Sequence, residues 1–286
     1  PWFFWAADYF DKPQYAWYEL NAEKELGYNS GLYALLSIIW YNKDKTNLVP
    51  GSFSLDKFYD AAPENIPLLT TNSVILRSSW EDKNAIYAAM HGGSNDTSHI
   101  HLALGSFVIE ADGVRWFTHP DVNTYAVDNY FGNGRFDYYW ARAEGHNTII
   151  ANPSGSDDQK QSAFAQVIAS GTSPAESFGI MDITQTNDVF SDAKRGIRLA
   201  DNRSRVIVQD EIKTKSPAEL YWFAHTEADI TVSADKRSVL LEQQGKRLWI
   251  NIMDGPADAK FYYTDTVPLD VSPAPEGNSN NPVPGH

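Results

Sequence analysis

The stretch Ser98–Phe107 reads SHIHLALGSF, and the rest of the sequence is organised around it. Its two histidines, His99 and His101, are one residue apart and stand shortly before the apolar run Phe107–Ile109. In an extended segment the side chains alternate with a period of two, so this pair is predicted to point to one side. A polar pair on one face beside an apolar strand favours a binding or catalytic site.

Two further histidines, His119 and His146, follow at longer range. Neutral imidazole is the commonest metal ligand in proteins, and three imidazoles from different segments suit zinc or a similar divalent ion. The spacing alone leaves a second interpretation open, in which each histidine is an ordinary core or surface residue.

Outward from this stretch the sequence predicts strands. Asp112-Gly113 lies between the runs Phe107–Ala111 and Val114–Phe117, and it is the strongest short hairpin signal in the chain. Further apolar runs that predict strands lie at 74–76, 85–90, 197–199, 206–212, 220–224, 230–232, 239–242 and 248–253. Many strands without intervening helices predict a mainly β fold, an antiparallel β-sandwich.

The N-terminal part of the sequence is different and predicts helices. A first helix is predicted from Asp11 and Pro13 to Leu26, followed by Gly27 at the position where a glycine commonly ends a helix. A second is predicted from Ser30, with apolar residues at helical spacing. We therefore predict helices within 1–46, a connector at 47–72, the β-sandwich at 73–270, and a disordered tail or linker at 271–286.

Composition excludes several classes of function. The 286-residue chain has a formal charge of −14, which argues against nucleic acid or an anionic membrane surface as a partner. Its longest apolar run, residues 32–41, is too short to span a bilayer. The absence of cysteine excludes disulfides, zinc–thiolate sites and thiol nucleophiles. Any site for an anionic sugar is therefore expected to be locally cationic.

Four sequence blocks resemble the heparinase II/III-type polysaccharide lyases, a group that includes alginate lyases. They are Gly92–His101, Gly105–Val108, Gly113–Trp116 and Ala143–Thr148, in the same order as in the family. The resemblance implies an α/α toroid before the β-sandwich, of which only the last helices lie in 1–46. It also implies that the missing toroid is a partner of this chain, and that the protein is secreted or periplasmic in a bacterium.

The family's reaction is β-elimination on an acidic, uronate-containing polysaccharide. The resemblance makes alginate the favoured substrate, with heparin- and chondroitin-type glycans as the alternatives. It implies that His99 is catalytic, as a charge neutraliser or base, and that His101, His119 and His146 bind a divalent metal ion. Zinc is preferred, with manganese or calcium as alternatives, and the identity of the metal stays open because His119 stands where many relatives have aspartate. Ala103 is a second departure, since many relatives have a carboxylate or amide there.

The segment Arg135–Arg142 supplies further candidates for binding substrate, namely Arg135, Tyr138, Tyr139 and Arg142. The alternative is an aromatic strand with exposed arginines. The resemblance places the family's acid or base tyrosine, and an Asn/His pair, in the toroid. The chain alone is therefore expected to be inactive.

Two other functions stay open at the level of sequence. Gly93, His99 and His101 match the opening of a cupin-like metal site, but the glutamate expected three or four residues later is missing, and Glu110 comes nine residues after His101. A non-catalytic carbohydrate-binding sandwich would suit the nine tryptophans, and it would not need a histidine cluster. Metal analysis separates this last function from the other two.

Overall fold

The computed structural model describes residues 2–26, 39, 41–42, 54–59, 72–120, 127–153 and 158–275. The chain divides into two compact units, residues 1–55 and residues 56–286. Within the described ranges, no helix is both long enough and apolar enough to cross a membrane.

The first unit contains the helices α1 (Trp2–Tyr9) and α2 (Pro13–Leu26). Asp11 in the turn between them has a left-handed backbone, with φ of 51°. The proline that starts α2 has a fixed φ suited to the first helical position. Helix α2 confirms the predicted helix that ends at Leu26. The second predicted helix, from Ser30, falls almost entirely outside the described residues.

The second unit is built from antiparallel strands, which confirms the predicted mainly β class. Its strands are β1 (Lys57–Tyr59), β2 (Ser73–Arg77), β3 (Tyr87–His91), β4 (Gly93–Ser94), β5 (Phe107–Ala111), β6 (Val114–Phe117), β7 (Ile149–Ala151), β8 (Phe164–Thr172), β9 (Ser177–Asp182), β10 (Phe190–Ala200), β11 (Arg205–Thr214), β12 (Leu220–Trp222), β13 (Asp229–Val232), β14 (Ser238–Gln243) and β15 (Lys246–Asn251).

Two five-stranded sheets in the described part form the sandwich. The first has the strand order β1-β2-β3-β5-β6, and the second β11-β10-β9-β8-β4. Alternate residues of both sheets enter one apolar core, in which Val74 and Met90 of the first sheet meet Met181 and Leu199 of the second. Gly179 marks the closest approach, because a Cβ atom there would clash with the side chain of Val74. The smaller sheets are β12-β7 and β13-β14-β15.

The turn residues explain the hairpins that the sequence predicts. Asp112 and Gly113 have φ of 57° and 75°, the left-handed pair that a tight β5–β6 turn requires. Asp201 and Asn202, with φ of 53° and 54°, turn β10 into β11. The sequence reading missed β8 and β9 and found only the end of β10. Strands β8 and β9 contain serine, glycine or threonine at several positions, so their sequences lack the clear alternation of apolar residues that predicts a strand.

Three local features differ from the expectations. Strand β1 lies inside the predicted connector 47–72 and pairs with β2. The segment around His99 is an irregular loop and not an extended strand, since His99 has φ of 60°. In the predicted tail, Ser272 donates a hydrogen bond to the buried carboxylate of Glu144 at 2.7 Å. Residues 276–286 lie outside the described ranges.

A buried ion pair fixes the start of the β unit. Arg203 donates from Nη1 and Nη2 to Asp56 at 3.0 and 2.8 Å, and both residues are buried. Burial by itself raises the pKa of the Asp56 carboxyl, but hydrogen bonds from Arg203, Thr172 and Ser177 outweigh it and lower the pKa below its usual value. The pair's stabilisation is therefore present at neutral pH and is lost as the pH falls through that lowered pKa.

We predict that Asp56→Asn destabilises the β unit by about 3–5 kcal/mol, because it leaves the buried Arg203 guanidinium without a counter-charge. The matched control is Glu242→Gln, which breaks an exposed pair with Arg247 and should cost about 1 kcal/mol or less. Urea unfolding followed by circular dichroism measures both. Equal losses in the two variants would contradict the assigned role of the buried pair.

Candidate active site

An open cavity of about 430 Å³ lies in the second unit, at the outward face of the first sheet. Its size is typical of small-molecule and substrate sites. The floor consists of outward-facing residues of β2, β3 and β5, and the loop that follows β4 forms a wall. Five of the chain's seven histidines line it, namely His91, His99, His101, His119 and His146.

Among the residues that the structure describes, the lining of this cavity includes no aspartate or glutamate, although the chain has 37 acidic residues. Its polar groups are imidazole rings, serine hydroxyls and the phenol of Tyr87. Burial raises the pKa of Tyr87, so its hydroxyl keeps its proton and is a hydrogen-bond donor at neutral pH. The described lining therefore places no carboxylate beside a bound anion; it has no lysine or arginine either, so its imidazoles are the groups that could make it cationic.

His99 stands on the exposed part of the loop that precedes β5. Its ring lies 5.8 Å from the ring of Phe131, measured between centroids. The expected same-side arrangement with His101 does not come from strand alternation, because the left-handed backbone at His99 breaks the extended conformation. Both rings nevertheless line the same cavity. His99 is therefore placed where a bound substrate can meet it.

The three predicted metal ligands are neighbours. The centroid of the His146 ring lies 5.4 Å from that of His101 and 5.6 Å from that of His119. His146 is buried, whereas His119 is exposed. Burial holds the pKa of His146 well below its usual range, and the neighbouring His101 and His119 lower it further. His146 is therefore a neutral imidazole at physiological pH.

Hydrogen bonds fix the tautomers of two of these rings. Nδ1 of His146 lies 2.8 Å from the carbonyl oxygen of Arg142, and Nδ1 of His119 lies 3.0 Å from that of Pro120. A carbonyl only accepts, so in each neutral ring Nδ1 carries the proton and Nε2 keeps its lone pair. Backbone carbonyls orient metal-binding histidines in this way in many proteins.

The donor chemistry thus fits a divalent metal ion, but the placement does not yet form a ligand set. Across the ranges 2–26, 39, 41–42, 54–59, 72–120, 127–153 and 158–275, no three His, Cys, Asp or Glu side chains are arranged to hold a metal ion. Nε2 of His101 lies 3.3 Å from the hydroxyl of Tyr130. A metal ion would have to compete with this hydroxyl for His101.

Asn147 connects the segments that carry these histidines. Its Nδ2 donates to the carbonyl oxygens of Phe107 and Thr118, both at 2.7 Å. Its Oδ1 accepts from the backbone nitrogen of His225 at 2.6 Å and from the ring Nδ1 of His225 at 3.1 Å. The asparagine is fully buried. Its amide therefore uses every donor and acceptor position to hold strand ends at fixed distances.

The same residue fixes the tautomer of His225, which lies under the site. Because Nδ1 of His225 donates to Asn147, its Nε2 accepts from the hydroxyl of Tyr139 at 2.8 Å. Burial lowers the pKa of His225 to about 4, and burial raises the pKa of Tyr139. Both side chains are neutral and buried, so His225 supports the structure of the site from within the core.

Three polar side chains donate hydrogen bonds to the backbone carbonyl oxygens that follow His101. The carbonyl oxygen of Leu104 accepts from Thr148 Oγ1 and Gln159 Nε2, both at 2.8 Å. Arg195 donates from Nη1 to the carbonyl of Gly105 at 3.0 Å, while Nε and Nη2 bind Asp210. The loop is therefore irregular but tied to the core.

The four predicted substrate-binding residues have different placements. Tyr138, Tyr139 and Arg142 are buried, with at most 4% of each exposed, and this leaves almost no side-chain surface for a polysaccharide. The guanidinium of Arg142 pairs with Glu144 and Asp158 in the core. Arg135 is half-buried, and its guanidinium lies 3.4 Å from the carbonyl oxygen of Ile100, between the two loop histidines.

Sequence reasoning gave no role to several residues that shape the site. Asn147 belongs to a motif that the resemblance uses, yet only the neighbouring histidine received a function. Tyr130 and Trp140 pack around His101, with ring centroids of Trp140 and His101 5.4 Å apart. The aromatic density of residues 130–140 was the available signal for them.

Comparisons with known proteins agree with this architecture. A heparan sulfate lyase, HepC from Pedobacter heparinus, has a similar structure with a TM-score of 0.60 and 16% identity, over 79% of this chain and 34% of that one. The heparinase III BT4657 gene product gives a TM-score of 0.51 at 15% identity, over 63% and 27% of the two chains. This chain therefore spans about a third of the length of these structures. A search of curated proteins finds no match.

The family described as heparinase II/III-like, C-terminal, matches residues 74–276, which is most of the chain and nearly all of its β unit. The matched region contains all five cavity histidines and the asparagine that connects them. The chain thus belongs to the heparinase II/III-like C-terminal family.

Proposed function

We propose that this chain is part of a polysaccharide lyase that cleaves a uronate-containing polysaccharide by β-elimination. The observation that carries the proposal is the cavity, whose described lining includes five histidines and no acidic residue. Family membership and the likeness to a heparan sulfate lyase support the general reaction class. The cupin-like alternative has no comparable support, because the family match covers nearly all of the β unit.

The reaction sets three chemical requirements. A group must offset the charge of the uronate carboxylate, a base must remove the proton on the adjacent carbon, and an acid must protonate the leaving glycosidic oxygen. His99 is the exposed imidazole of the cavity wall and is the residue to which we assign the first role, or that of the base. The described lining of the cavity contributes by placing no second carboxylate beside the bound one.

We propose alginate as the substrate, because the resemblance drawn from the sequence motifs favours the alginate lyases of this group. Heparan-type glycans are the second candidate, since two similar structures are named a heparan sulfate lyase and a heparinase. The two substrates differ in charge pattern, because alginate has a carboxylate on every ring and heparan sulfate adds sulfate groups. A screen of uronate polymers, followed by the ultraviolet absorbance of the unsaturated product, separates the candidates.

We also propose that His101, His119 and His146 bind a divalent metal ion, zinc by preference. The fixed Nε2 lone pairs of His119 and His146 support this proposal, as does the neutral state of His146. The ion would tie the loop after β4 to the segment after β6 and to the motif around His146. Its role would be structural, with no part in the proton transfers.

We predict that zinc added at about 100 times its Kd stabilises the protein by about 2.7 kcal/mol. For a chain of this size the Tm should rise by roughly 5–10 °C. His119→Ala should abolish this rise, whereas His99→Ala, which removes an exposed histidine outside the proposed ligand set, should retain it. Metal content by mass spectrometry after dialysis gives the stoichiometry. A shift of the same size in His119→Ala would exclude this ligand set.

We further propose that elimination requires the missing toroid, which the resemblance credits with the family's acid or base tyrosine. General acid–base groups contribute about 10²–10⁴-fold to a rate. We therefore predict that residues 1–286 alone have little or no activity. Supplying the toroid, covalently or as a separate fragment, should restore turnover.

The restored activity should fall at least about 100-fold in His99→Gln, the size of an acid–base contribution. His91→Gln, a second cavity histidine to which no role in the reaction is assigned, should stay within a few-fold of the unmodified protein. Rapid turnover by residues 1–286 alone would assign the proton transfer to this chain, where Tyr87 lines the cavity and Tyr138 and Tyr139 are buried.

A further inference from the structure

The floor of the cavity changes in chemical character along strand β3. Its first row is polar, because Ser73 of β2 lies opposite His91 of β3 and both line the cavity. The next row on the same face is apolar, with Ile75 of β2 and Val108 of β5 on either side of Ala89. Alternate residues of a strand share a face, so the two rows form one continuous floor.

The middle of the apolar row is a depression. Ala89 has a single methyl group, whereas its neighbours Ile75 and Val108 are larger and branched at Cβ. Neighbouring strands lie about 4.8 Å apart, so roughly 9–10 Å separate the two outer backbones of the row. All three side chains are half-buried, and their exposed part faces the cavity. The depression therefore has room for one sugar ring lying flat on the sheet.

The chemistry of this row suits the face of a sugar ring. A pyranose ring presents C–H groups on its faces, and these bind apolar side chains as other apolar surfaces do. Ligand sites in proteins commonly combine apolar walls with a few polar groups that fix the orientation. A charged substituent on the bound face would lie against apolar groups, and the described lining of the cavity includes no lysine or arginine to pair with it. The row therefore favours a ring whose charged groups point away from the floor.

Tyr87 closes one end of the depression. It lies two residues before Ala89 on β3, so it shares the same face, and it also lines the cavity. A phenol combines an apolar ring with a hydroxyl that both donates and accepts hydrogen bonds. The guanidinium of Arg77 packs on the Tyr87 ring, with Cζ 4.4 Å from its centroid, and this contact limits rotation of the ring. Tyr87 thus supplies a positioned polar group at the end of an apolar row.

The depression lies away from the loop that carries His99. That loop enters β5 beside His91, whose N–H donates to the carbonyl oxygen of Ser106 at 2.8 Å. Tyr87 is four residues from His91 on the same strand, so the floor extends roughly 13 Å beyond this end. A sugar chain that reaches His99 and continues along the floor therefore places a different ring on Ala89.

We propose that Ala89, between Ile75 and Val108, forms a subsite for a non-reacting ring of the polysaccharide, and that the Tyr87 hydroxyl binds this ring by a hydrogen bond. This inference rests on the proposed action on a uronate polysaccharide, and it adds the residues that determine specificity beside the reacting ring. The ring binds through a C–H face, so the subsite rejects a bulky or charged substituent on that face. These residues take no part in the elimination itself.

The test is calorimetric binding of oligosaccharides to residues 1–286 and to variants. The ligands are an alginate hexasaccharide, an unsulfated heparan-type hexasaccharide, and each of these sulfated chemically on its hydroxyls. Ala89→Leu and Ala89→Lys fill the depression with an apolar or a cationic side chain, and Tyr87→Phe removes only a hydroxyl. Ala169→Leu and Ala169→Lys are the matched controls, because Ala169 is an exposed residue of β8 in the other sheet. Thermal unfolding checks the fold of each variant.

The effects are measured with the unsulfated hexasaccharide that the unmodified chain binds more tightly. We expect Ala89→Leu to weaken its binding at least about tenfold, as for the loss of one buried ring contact. Ala169→Leu should stay within about twofold of the unmodified chain. Tyr87→Phe should weaken binding about two- to tenfold, as for the loss of one hydrogen bond.

The sulfated form of the same hexasaccharide should bind the unmodified chain at least about tenfold less tightly, because a sulfate on the bound face meets apolar side chains. Ala89→Lys should narrow this gap, since its ammonium group pairs with sulfate at the subsite. Ala169→Lys makes the same change in net charge elsewhere and should leave the gap as it is.

The subsite is excluded if Ala89→Leu binds the hexasaccharide as tightly as the unmodified chain, or if the unmodified chain binds neither unsulfated ligand. Equal affinity of the unmodified chain for the sulfated and unsulfated forms would contradict the assigned specificity. Equal narrowing of the gap by Ala89→Lys and Ala169→Lys would contradict it too, because it would indicate a diffuse effect of charge.

A separately expressed toroid fragment tests the other occupant of this row. If Ala89→Leu weakens binding of that fragment while hexasaccharide affinity is retained, the row is a contact between domains and the subsite is excluded. If Ala89→Leu loses its fold, Ala89→Val, which suits a strand, decides by the same criterion. Failure of the elimination assay leaves these binding results intact, whereas loss of the subsite leaves the role of His99 untouched.

Discussion

The side-chain amide of Asn147 is the interaction on which the candidate site depends. Two carbonyl oxygens accept from its nitrogen, and its oxygen accepts from the backbone and the ring of His225. One of those carbonyls belongs to Thr118, immediately before a cavity histidine, and Asn147 itself immediately follows another. An unpaired buried amide group costs about 1–3 kcal/mol, so a fully used amide selects one arrangement of the segments around it. The spacing of the histidines is set in part by a residue that has no charge of its own.

Much of the fold could be predicted from local chemistry. A hairpin such as β5–β6 is specified within a few residues, because Asp112-Gly113 accepts the left-handed backbone that the turn requires. The histidines of the cavity were identified by type and spacing, and their assembly follows from the order of the family's motifs. The strands β8 and β9 were missed because their serine, threonine and glycine residues are stabilised by pairing with neighbouring strands. Such tertiary pairing leaves no periodic signal in the sequence.

Burial of charged residues was the main feature that the sequence could not supply. Arg142 looks like a surface arginine in an aromatic segment, yet its guanidinium is enclosed with Glu144 and Asp158. Glu144 is two residues away and Asp158 is sixteen residues away, and no local pattern indicates that the three side chains are buried together. Arg77 is the converse case, since its partners Trp80 and Tyr87 come from a hairpin whose register decides that the three side chains meet. The surroundings of an arginine side chain therefore depend on which strands pair and in which register, and its own local sequence does not determine them.

If this acidic chain acts on an anionic polysaccharide, as we propose, its own charge must lie away from the ligand. The long-range field is screened, because the Debye length is about 8 Å at physiological ionic strength. The groups that would act on a bound sugar are thus those within the cavity, whose described lining has imidazoles and hydroxyls and includes no carboxylate. Buried acidic residues such as Asp56 and Asp158 are each paired with an arginine in the core. The net charge of −14 therefore opposes long-range attraction to polyanions. Recognition of an anionic sugar chain would then depend on short-range contacts with its individual rings.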